Sequence, residues 1–258
     1  MKLSHQFVAL MFVAVLTCAA LPAAPSPKEK GKESEKEQAG QTVDAGSFGI
    51  FMNGRRVGTE KFSILQDRGG SVVKSEFKTE NAPNGVEADQ SSEMQLTAAG
   101  DIRRYDWKEL SPELADSVVL PNDQFLNQKW NSGPKTKENE QPYLLPLSTV
   151  ILDDYFFIHR EILAWKFLAA SCRQESGQVK CPIKQRAQFG TMDPRQHSSA
   201  PMTAEYLGRE KISFKGNPQE FNKVEFKNDA GIWQLWLDDQ FKVMRIWIEG
   251  DNTEVIRD

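Results

Sequence analysis

The chain has 258 residues, of which 32 are Lys or Arg and 36 are Asp or Glu, so its formal net charge is −4. Charges of both signs are interspersed along it, and the clustered basic patch that neutralises nucleic-acid phosphates is missing. The composition therefore excludes a nucleic-acid-binding protein. No phosphate-binding glycine-rich loop occurs either, and we expect no cofactor.

An apolar run over residues 7–24 is the first feature along the chain. Its length and the small residues at its end predict a secretory signal peptide over residues 1–24, cleaved within residues 20–24. Two alternatives remain open: a retained membrane anchor, and a lipoprotein signal in which Cys18 becomes the lipidated first residue. Once the signal is removed, no stable transmembrane span is expected. The expected location is outside the cytoplasm, in the periplasm.

Residues 25–43 are predicted to be a disordered, charged linker. Lys and Glu dominate residues 28–37, and no aliphatic or aromatic side chain occurs there. Such a segment cannot bury enough apolar surface to offset the entropy lost on ordering. It is either a spacer across a layer of the cell envelope or a solvated tail.

Residues 44–258 are enough for one sizeable core, and no Pro/Gly-rich linker divides them, so a single domain is predicted. Alternating residues lead into Asn53-Gly54, the strongest short-range signal for a β-hairpin. Turn sequences at 67–70, 81–85 and 100–101 follow at short intervals. This spacing predicts an antiparallel meander.

Residues 152–170 contain no Gly or Pro, Asp153 can cap their start, and Asp154 suits the positive end of the helix dipole, so a long helix is predicted. Apolar side chains cover most of its circumference, and Asp153, Asp154, Arg160 and Glu161 form a narrow polar strip. A helix of this kind is buried on more than one face, which requires the sheet to curve around it.

The last strands are rich in tryptophan, and Trp233 and Trp236 should face opposite sides because they are three residues apart. Core packing is one interpretation. The other is an apolar groove between these strands and the helix, since ligand sites are concave and mostly apolar. The candidate ligand-binding residues in this groove are Tyr155, Ile162, Leu163, Trp165, Trp236 and Trp247.

Two of the three cysteines, Cys172 and Cys181, lie beyond the signal segment and flank a turn sequence. In an oxidising compartment this even pair predicts a disulfide. A two-ligand contribution to a metal site is the competing interpretation, but no second pair with metal-ligand spacing exists, so no metal is expected.

The exported chain, its hairpin over residues 48–60, the long meander and the apolar helix before the closing strands together resemble bacterial envelope proteins with a lipoprotein-carrier-like (LolA-like) fold. The resemblance implies a mainly β (α+β) fold: a curved antiparallel sheet forming an unclosed barrel, with the helix packed on its concave face. Carriers of that family bind acyl chains in the cavity, so a lipid or acyl-chain ligand is implied.

Catalytic patterns are absent from the sequence. His159 lacks the second histidine that a metalloprotease helix requires, and His197 lies in a polar loop without a nucleophile elbow. We therefore expect a non-catalytic envelope protein that binds a lipid or other apolar ligand in a groove beneath the 152–170 helix. The alternatives are an assembly protein that docks an envelope partner through its sheet edge, and a hydrolase with an unrecognised site.

Overall fold

The computed structural model describes residues 40–80, 85–133, 136–175 and 178–258, all of which belong to one folding unit. The predicted signal peptide, including Cys18, and the linker up to residue 39 lie outside the described residues. The first strand begins at Gln41. The folded domain thus starts slightly before the predicted boundary at residue 44.

Two runs of consecutive antiparallel strands and one short strand from between them build one fifteen-stranded sheet. The first run comprises β1 (Gln41–Met52), β2 (Arg55–Gln66), β3 (Gly70–Thr79), β4 (Asp89–Thr97), β5 (Ile102–Ser111), β6 (Ala115–Asn122), β7 (Phe125–Asn131) and β8 (Asn139–Tyr143). Between the runs lie β9 (Val150–Ile151), the helix α1 (Ile158–Ser171) and a separate small hairpin of β10 (Arg173–Glu175) and β11 (Gln178–Lys180). The second run comprises β12 (Arg186–Asp193), β13 (Ser198–Phe214), β14 (Asn217–Asn228), β15 (Gly231–Leu237), β16 (Val243–Ile248) and β17 (Thr253–Arg257).

The two runs join where β1 pairs with β17, with Phe48 opposite Arg257 and Met52 opposite Thr253. Strands β8 and β9 form the two edges, so the sheet is curved but not closed into a barrel. The predicted antiparallel meander is confirmed. One departure is β9, which pairs with β12 in the parallel direction.

Local backbone geometry explains the first hairpin. Asn53 and Gly54 have φ angles of 50° and 76°, and a two-residue turn with positive φ at both positions matches the twist of the flanking strands. Gly70, at the start of β3, is required for a different reason. Its φ is 155°, and a Cβ there would lie 1.9 Å from the carbonyl oxygen of Leu96 on β4.

Helix α1 begins at Ile158, six residues after the predicted start, and ends at Ser171. Asp153 does not cap it. The free N–H groups of Phe157 and Ile158 instead donate to the carboxyl group of Glu60 on β2, at 2.7 and 3.3 Å. Because an acceptor from the sheet satisfies these orphan donors, the helix starts where it meets Glu60.

The helix is also less apolar than predicted. His159, Arg160 and Glu161 are all buried, together with Ile162 and Leu163. Of the expected polar strip, only Asp154 is exposed. Asp153, Arg160 and Glu161 are buried and contact other groups of the protein. The predicted long, apolar helix is thus a 14-residue helix with three buried polar residues.

Contacts of α1 reach strands that are far apart in the sheet. Glu161 accepts a hydrogen bond from the backbone N–H of Val243 on β16 at 2.7 Å. The ammonium group of Lys166 donates to the carbonyl oxygen of Gly100, just before β5, at 3.0 Å. Glu60 on β2 accepts hydrogen bonds at the N-terminal end of the helix. The sheet therefore curves around α1, which lies on the face that carries the main core.

The opposite face of the sheet carries a second, smaller apolar cluster. Phe214, Phe221 and Trp236 form it, and Trp247 packs against it. Leu235 belongs to the main core, so neighbouring residues of β15 point to different faces. The prediction that Trp233 and Trp236 face opposite sides is confirmed, since Trp233 packs against the main core.

Candidate functional site

A cavity of about 910 Å³ lies at the N-terminal end of α1. The strand residues that line it all come from the ends of strands near the turns at one end of the sheet. The segment that leads into α1 forms another wall, through Leu152, Asp154, Tyr155, Phe157 and Arg160. The cavity thus lies between one end of the curved sheet and the segment that leads into the helix.

Apolar and aromatic side chains make up much of the lining. The aromatic residues are Phe77, Tyr155, Phe157, Phe226 and Trp233. The apolar residues include Ile50, Met52, Val57, Leu152, Met202 and Ile248. A concave, largely apolar site with a few polar groups is typical of small-molecule binding, and sites of this type measure roughly 300 to 1,000 Å³.

Charged groups in the lining are mostly acidic. They are the carboxylates of Glu109, Asp154, Asp193 and Asp251, with Arg160 as the one lining cation among the described residues. Arg160 pairs with Asp154 at 3.3 Å, and its side chain is only 4% exposed. The positive charge of Arg160 is therefore already balanced within the protein.

Two aromatic rings pack against the Arg160 side chain. Its guanidinium lies 5.2 Å from the ring centroid of Phe157 and 5.8 Å from that of Trp233. Its Nη1 also donates to the carbonyl oxygen of Asp153 at 3.3 Å. These contacts fix one wall of the cavity.

A polar network lies beside the cavity and fixes Tyr155. Asp153 is fully buried and accepts hydrogen bonds from the Tyr105 hydroxyl at 3.1 Å and from Arg195 Nη2 at 3.2 Å. The Arg195 guanidinium lies 4.2 Å from the ring centroid of Trp107 and 4.3 Å from that of Tyr155. Burial, with the nearby charge of Asp153, raises the pKa of Tyr105 well above its usual value. Tyr105 is therefore a neutral hydrogen-bond donor.

Among the carboxyl groups of the lining, that of Asp193 has the most strongly shifted pKa. Burial, with repulsion from Asp153 and Asp154, raises its pKa to about 7. Its Oδ1 accepts hydrogen bonds from the backbone N–H groups of Arg195 and Gln196. In the described part of the chain no lysine or arginine forms an ion pair with it, so no cation of the protein balances its charge when it is ionised.

Two buried carboxyl groups fix α1 within the sheet. Burial raises the pKa of Glu60 to about 7. Burial, with the neighbouring Asp44, raises that of Glu161 to about 9. Arg257 contacts both Asp44 and Glu161. It forms an ion pair with Asp44, and its Nη2 lies 3.4 Å from Glu161 Oε2. Burial acts against the ionised form of Asp44, but the hydrogen bonds from Arg257, Glu161 and Lys242, with the charge of Arg257, together outweigh it and keep the pKa of Asp44 low.

Of the predicted ligand-binding residues, Tyr155 lines the cavity. Ile162 and Leu163 are buried in the main core, where protein side chains fill the space between the helix and the sheet. Trp165 is half-buried, and its indole N–H donates to the carbonyl oxygen of Phe241 at 2.7 Å. The cavity therefore lies at the end of the helix, whereas the predicted groove lay beneath it.

Trp236 and Trp247 lie on the other face of the sheet and do not meet the helix side. Sequence reasoning missed Asp193, Phe226 and Trp233 as neighbours in one cavity. A usable signal existed, since each lies within a few residues of a turn, and alternate turns of a meander gather at one end of a sheet.

The predicted disulfide is confirmed between Cys172 and Cys181, and it closes the hairpin of β10 and β11 beside the C-terminal end of α1. Within the described residues, no three His, Cys, Asp or Glu side chains converge to hold a metal ion. None of the helices described there combines the length and hydropathy needed to cross a membrane.

His159 and His197 both contact other groups of the protein. Burial, with the charge of Arg160, lowers the pKa of His159 to about 3, so its ring is neutral. Its Nδ1 accepts a hydrogen bond from the backbone N–H of Asp153 at 3.4 Å. The centroid of the His197 ring lies 4.1 Å from that of the Trp130 ring, and the two rings are tilted by 32°. Neither histidine lines the cavity.

No family model matches the chain, and no curated protein matches its sequence. Among solved structures, the crystal structure of a DUF1089 family protein from Pseudomonas aeruginosa matches with a TM-score of 0.44 and 10% sequence identity. The match covers 74% of this chain and 90% of that chain. A likeness at this level carries no argument about the fold or function of this chain.

Proposed function

We propose that the protein is an exported, non-catalytic envelope protein that binds a lipid or other amphiphilic small molecule in the cavity at the N-terminal end of α1. The observation that carries the proposal is the cavity itself, which measures about 910 Å³ and has five aromatic residues in its lining. Its volume falls in the range of small-molecule sites. Burial of an acyl chain against such a lining is favourable, at roughly 0.8 kcal/mol per buried methylene group.

Rigid walls support binding in a preformed site. Glu60 fixes the start of α1 from the sheet, and the pairing of Arg195 with Asp153 holds the segment before the helix. A site whose walls are already ordered loses less entropy when a ligand binds. The cavity needs no rearrangement of the helix to receive its ligand.

Export is supported by the disulfide between Cys172 and Cys181, because such bonds persist in oxidising compartments. The sequence prediction of a signal over residues 1–24 is tested by determining the N-terminus of the protein recovered from its host. A start within residues 21–25 agrees with the proposal. Recovery of the uncleaved chain contradicts it, and a lipid on Cys18 indicates the lipoprotein alternative.

The non-catalytic part of the proposal is supported by the roles of the polar groups beside the cavity. Asp153 and Arg160 each hold an ion pair, and Tyr105 donates a hydrogen bond to Asp153. A hydrolase would need a group such as Asp193 as acid or base. Hydrolysis of p-nitrophenyl esters that Asp193→Asn abolishes would therefore contradict this part of the proposal.

A binding assay with the neutral fluorescent dye N-phenyl-1-naphthylamine tests the cavity. Ala200 lines it, so Ala200→Trp should fill space in the cavity and abolish the binding that wild type shows at micromolar dye. Ala99, in an exposed turn, supplies the matched control Ala99→Trp. Equal dye binding by both variants, or none by wild type, would overturn the proposal. Native mass spectrometry of protein from its host would show a co-purifying lipid.

The alternative of partner docking through a sheet edge has less support. Edge strand β8 has only five residues, and these include Glu140 and Pro142. Charged residues and proline on short strands are features that protect an edge against pairing. The other edge, β9, has two residues, both buried. We therefore prefer the cavity as the functional site.

A further inference from the structure

The charge of the cavity lining points to one class of ligand. Four carboxylates and one guanidinium line the cavity, and Arg160 is already paired with Asp154 and covered by aromatic rings. An anionic group placed there would meet unpaired like charges, whose repulsion disfavours it. A cationic group would meet carboxylates of opposite charge.

Asp193 is the carboxylate best placed to receive a cation. It is half-buried, two backbone N–H groups fix its Oδ1, and no cation of the described chain pairs with it. Burial and the nearby carboxylates raise its pKa. A bound cation would act in the opposite direction by favouring the ionised form.

The aromatic lining suits a cation for an independent reason. A positively charged group is attracted to the face of an aromatic ring, more strongly when water is excluded. The same lining already holds one cation in this way, because the Arg160 guanidinium packs against Phe157 and Trp233. Phe77 and Phe226 line the cavity as well. Rings and carboxylates in one apolar cavity resemble, in chemistry, the sites that recognise ammonium groups.

We infer that the cavity binds an amphiphile whose polar end is an amine or quaternary ammonium group, with its apolar chain against the aliphatic and aromatic lining. The inference rests on the proposed function and adds the charge of the ligand. It disfavours free fatty acids, which carry a carboxylate at the polar end.

Titration calorimetry at pH 8 and low salt compares decyltrimethylammonium with decanoate, which has an apolar chain of similar length, both below their micelle concentrations. We expect the cation to bind at least about tenfold more tightly than the carboxylate, through ion pairing and ring contacts. Choline, which carries the ammonium group without the chain, should bind at least about tenfold more weakly than decyltrimethylammonium because it buries less apolar surface.

Substitutions locate the effect. Asp193→Asn and Glu109→Gln, tested separately, should each weaken binding of the cation by about fivefold and leave decanoate unchanged or bound more tightly. Asp116→Asn, in which an exposed aspartate on β6 loses its charge outside the cavity, is the matched control and should have no effect.

The results separate the two proposals. Equal affinity for decyltrimethylammonium and decanoate, or an unchanged affinity for the cation in both cavity variants, would overturn the inference while dye binding still supports the cavity. If choline bound as tightly as the long-chain cation, the inference that the ligand also has an apolar chain would be overturned. If the neutral dye also fails to bind wild type, the proposed function fails with it.

Discussion

Replacing Glu60 by alanine tests how α1 is held in the sheet. The Glu60 carboxyl group accepts hydrogen bonds from the Ser75 hydroxyl at 2.7 Å and from the N–H groups of Phe157 and Ile158 at 2.7 and 3.3 Å. All three donors belong to buried residues, and a buried donor left without an acceptor costs about 1 to 3 kcal/mol. Water entering the vacated space would relieve part of this. We therefore expect Glu60→Ala to lower the free energy of unfolding by about 3 to 5 kcal/mol at pH 5.

The cost of this substitution should fall as the pH rises. Burial raises the pKa of Glu60 from 4.5 to about 7. Between these values the folded protein holds a proton that the unfolded chain releases, so the resulting stability is fully present below pH 4.5 and is lost as the pH rises through 7. By pH 8 wild type should have lost about 3 kcal/mol from this group. The variant lacks the group, and the difference between the two proteins should narrow by that amount.

Urea unfolding followed by tryptophan fluorescence at pH 5 and pH 8 measures both effects. Glu76 is the matched control because it is an exposed glutamate next to Ser75 on β3. Glu76→Ala should change the free energy of unfolding by less than about 0.5 kcal/mol. If the two variants unfolded at the same urea concentration, or if the cost of Glu60→Ala grew toward pH 8, the capping role of Glu60 would be refuted.

Three further outcomes follow from the contacts described above. Arg195→Ala should cost about 3 to 5 kcal/mol in urea unfolding because it leaves a buried carboxylate unpaired, whereas the exposed Arg186→Ala should cost less than about 1 kcal/mol; equal costs would contradict the role of the buried pair. Cys172→Ser combined with Cys181→Ser should lower stability by roughly 2–3 kcal/mol through the freed loop, and an unchanged melting temperature would show that the bridge has no stabilising effect. Leu163→Ala should cost about 2 to 5 kcal/mol as a core truncation and leave dye affinity unchanged in the folded protein, while a selective loss of dye binding would return the ligand to the space beneath the helix.

Features that depend on residues close together in the chain were predictable from the sequence. The turn at Asn53 and Gly54 needs two positive φ angles, which this dipeptide adopts readily, so the hairpin could be located to the residue. The disulfide was predictable because Cys172 and Cys181 are an isolated even pair close together in the chain. Strand alternation likewise predicted a meander.

The start of the helix was not predictable in this way. Asp153 has the composition of an N-cap, but its carboxylate pairs with Arg195, and Glu60 from a distant strand satisfies the helix donors instead. The burial of Glu161 has the same origin, since its partners Val243 and Arg257 lie far along the chain. Arg160 pairs locally with Asp154, but the ring that covers it from a distant strand is that of Trp233. Propensity describes local competition between conformations, and here tertiary contacts outweigh it.

The position of the cavity depends on how strand ends assemble. Trp236 and Trp247 were attractive candidates by residue type, but the period-two alternation of their strands turns them to the opposite face. Phe226 and Trp233 line the cavity because they are paired on β14 and β15, close to the turn between these strands. Turn positions combined with alternation would have grouped these residues, whereas aromatic content alone could not.

The pairing of β1 with β17 has a consequence for the order of folding. The strand that is first in the chain lies in the middle of the sheet, and its second neighbour is the strand formed by Thr253–Arg257. Until that last strand has been synthesised, β1 presents an unpaired edge that can associate with other chains. The contact with the largest sequence separation must close before the sheet is complete, which favours slow folding. A chain that stops before residue 253 would thus lose more than five residues of strand: it would leave two half-sheets with no shared seam.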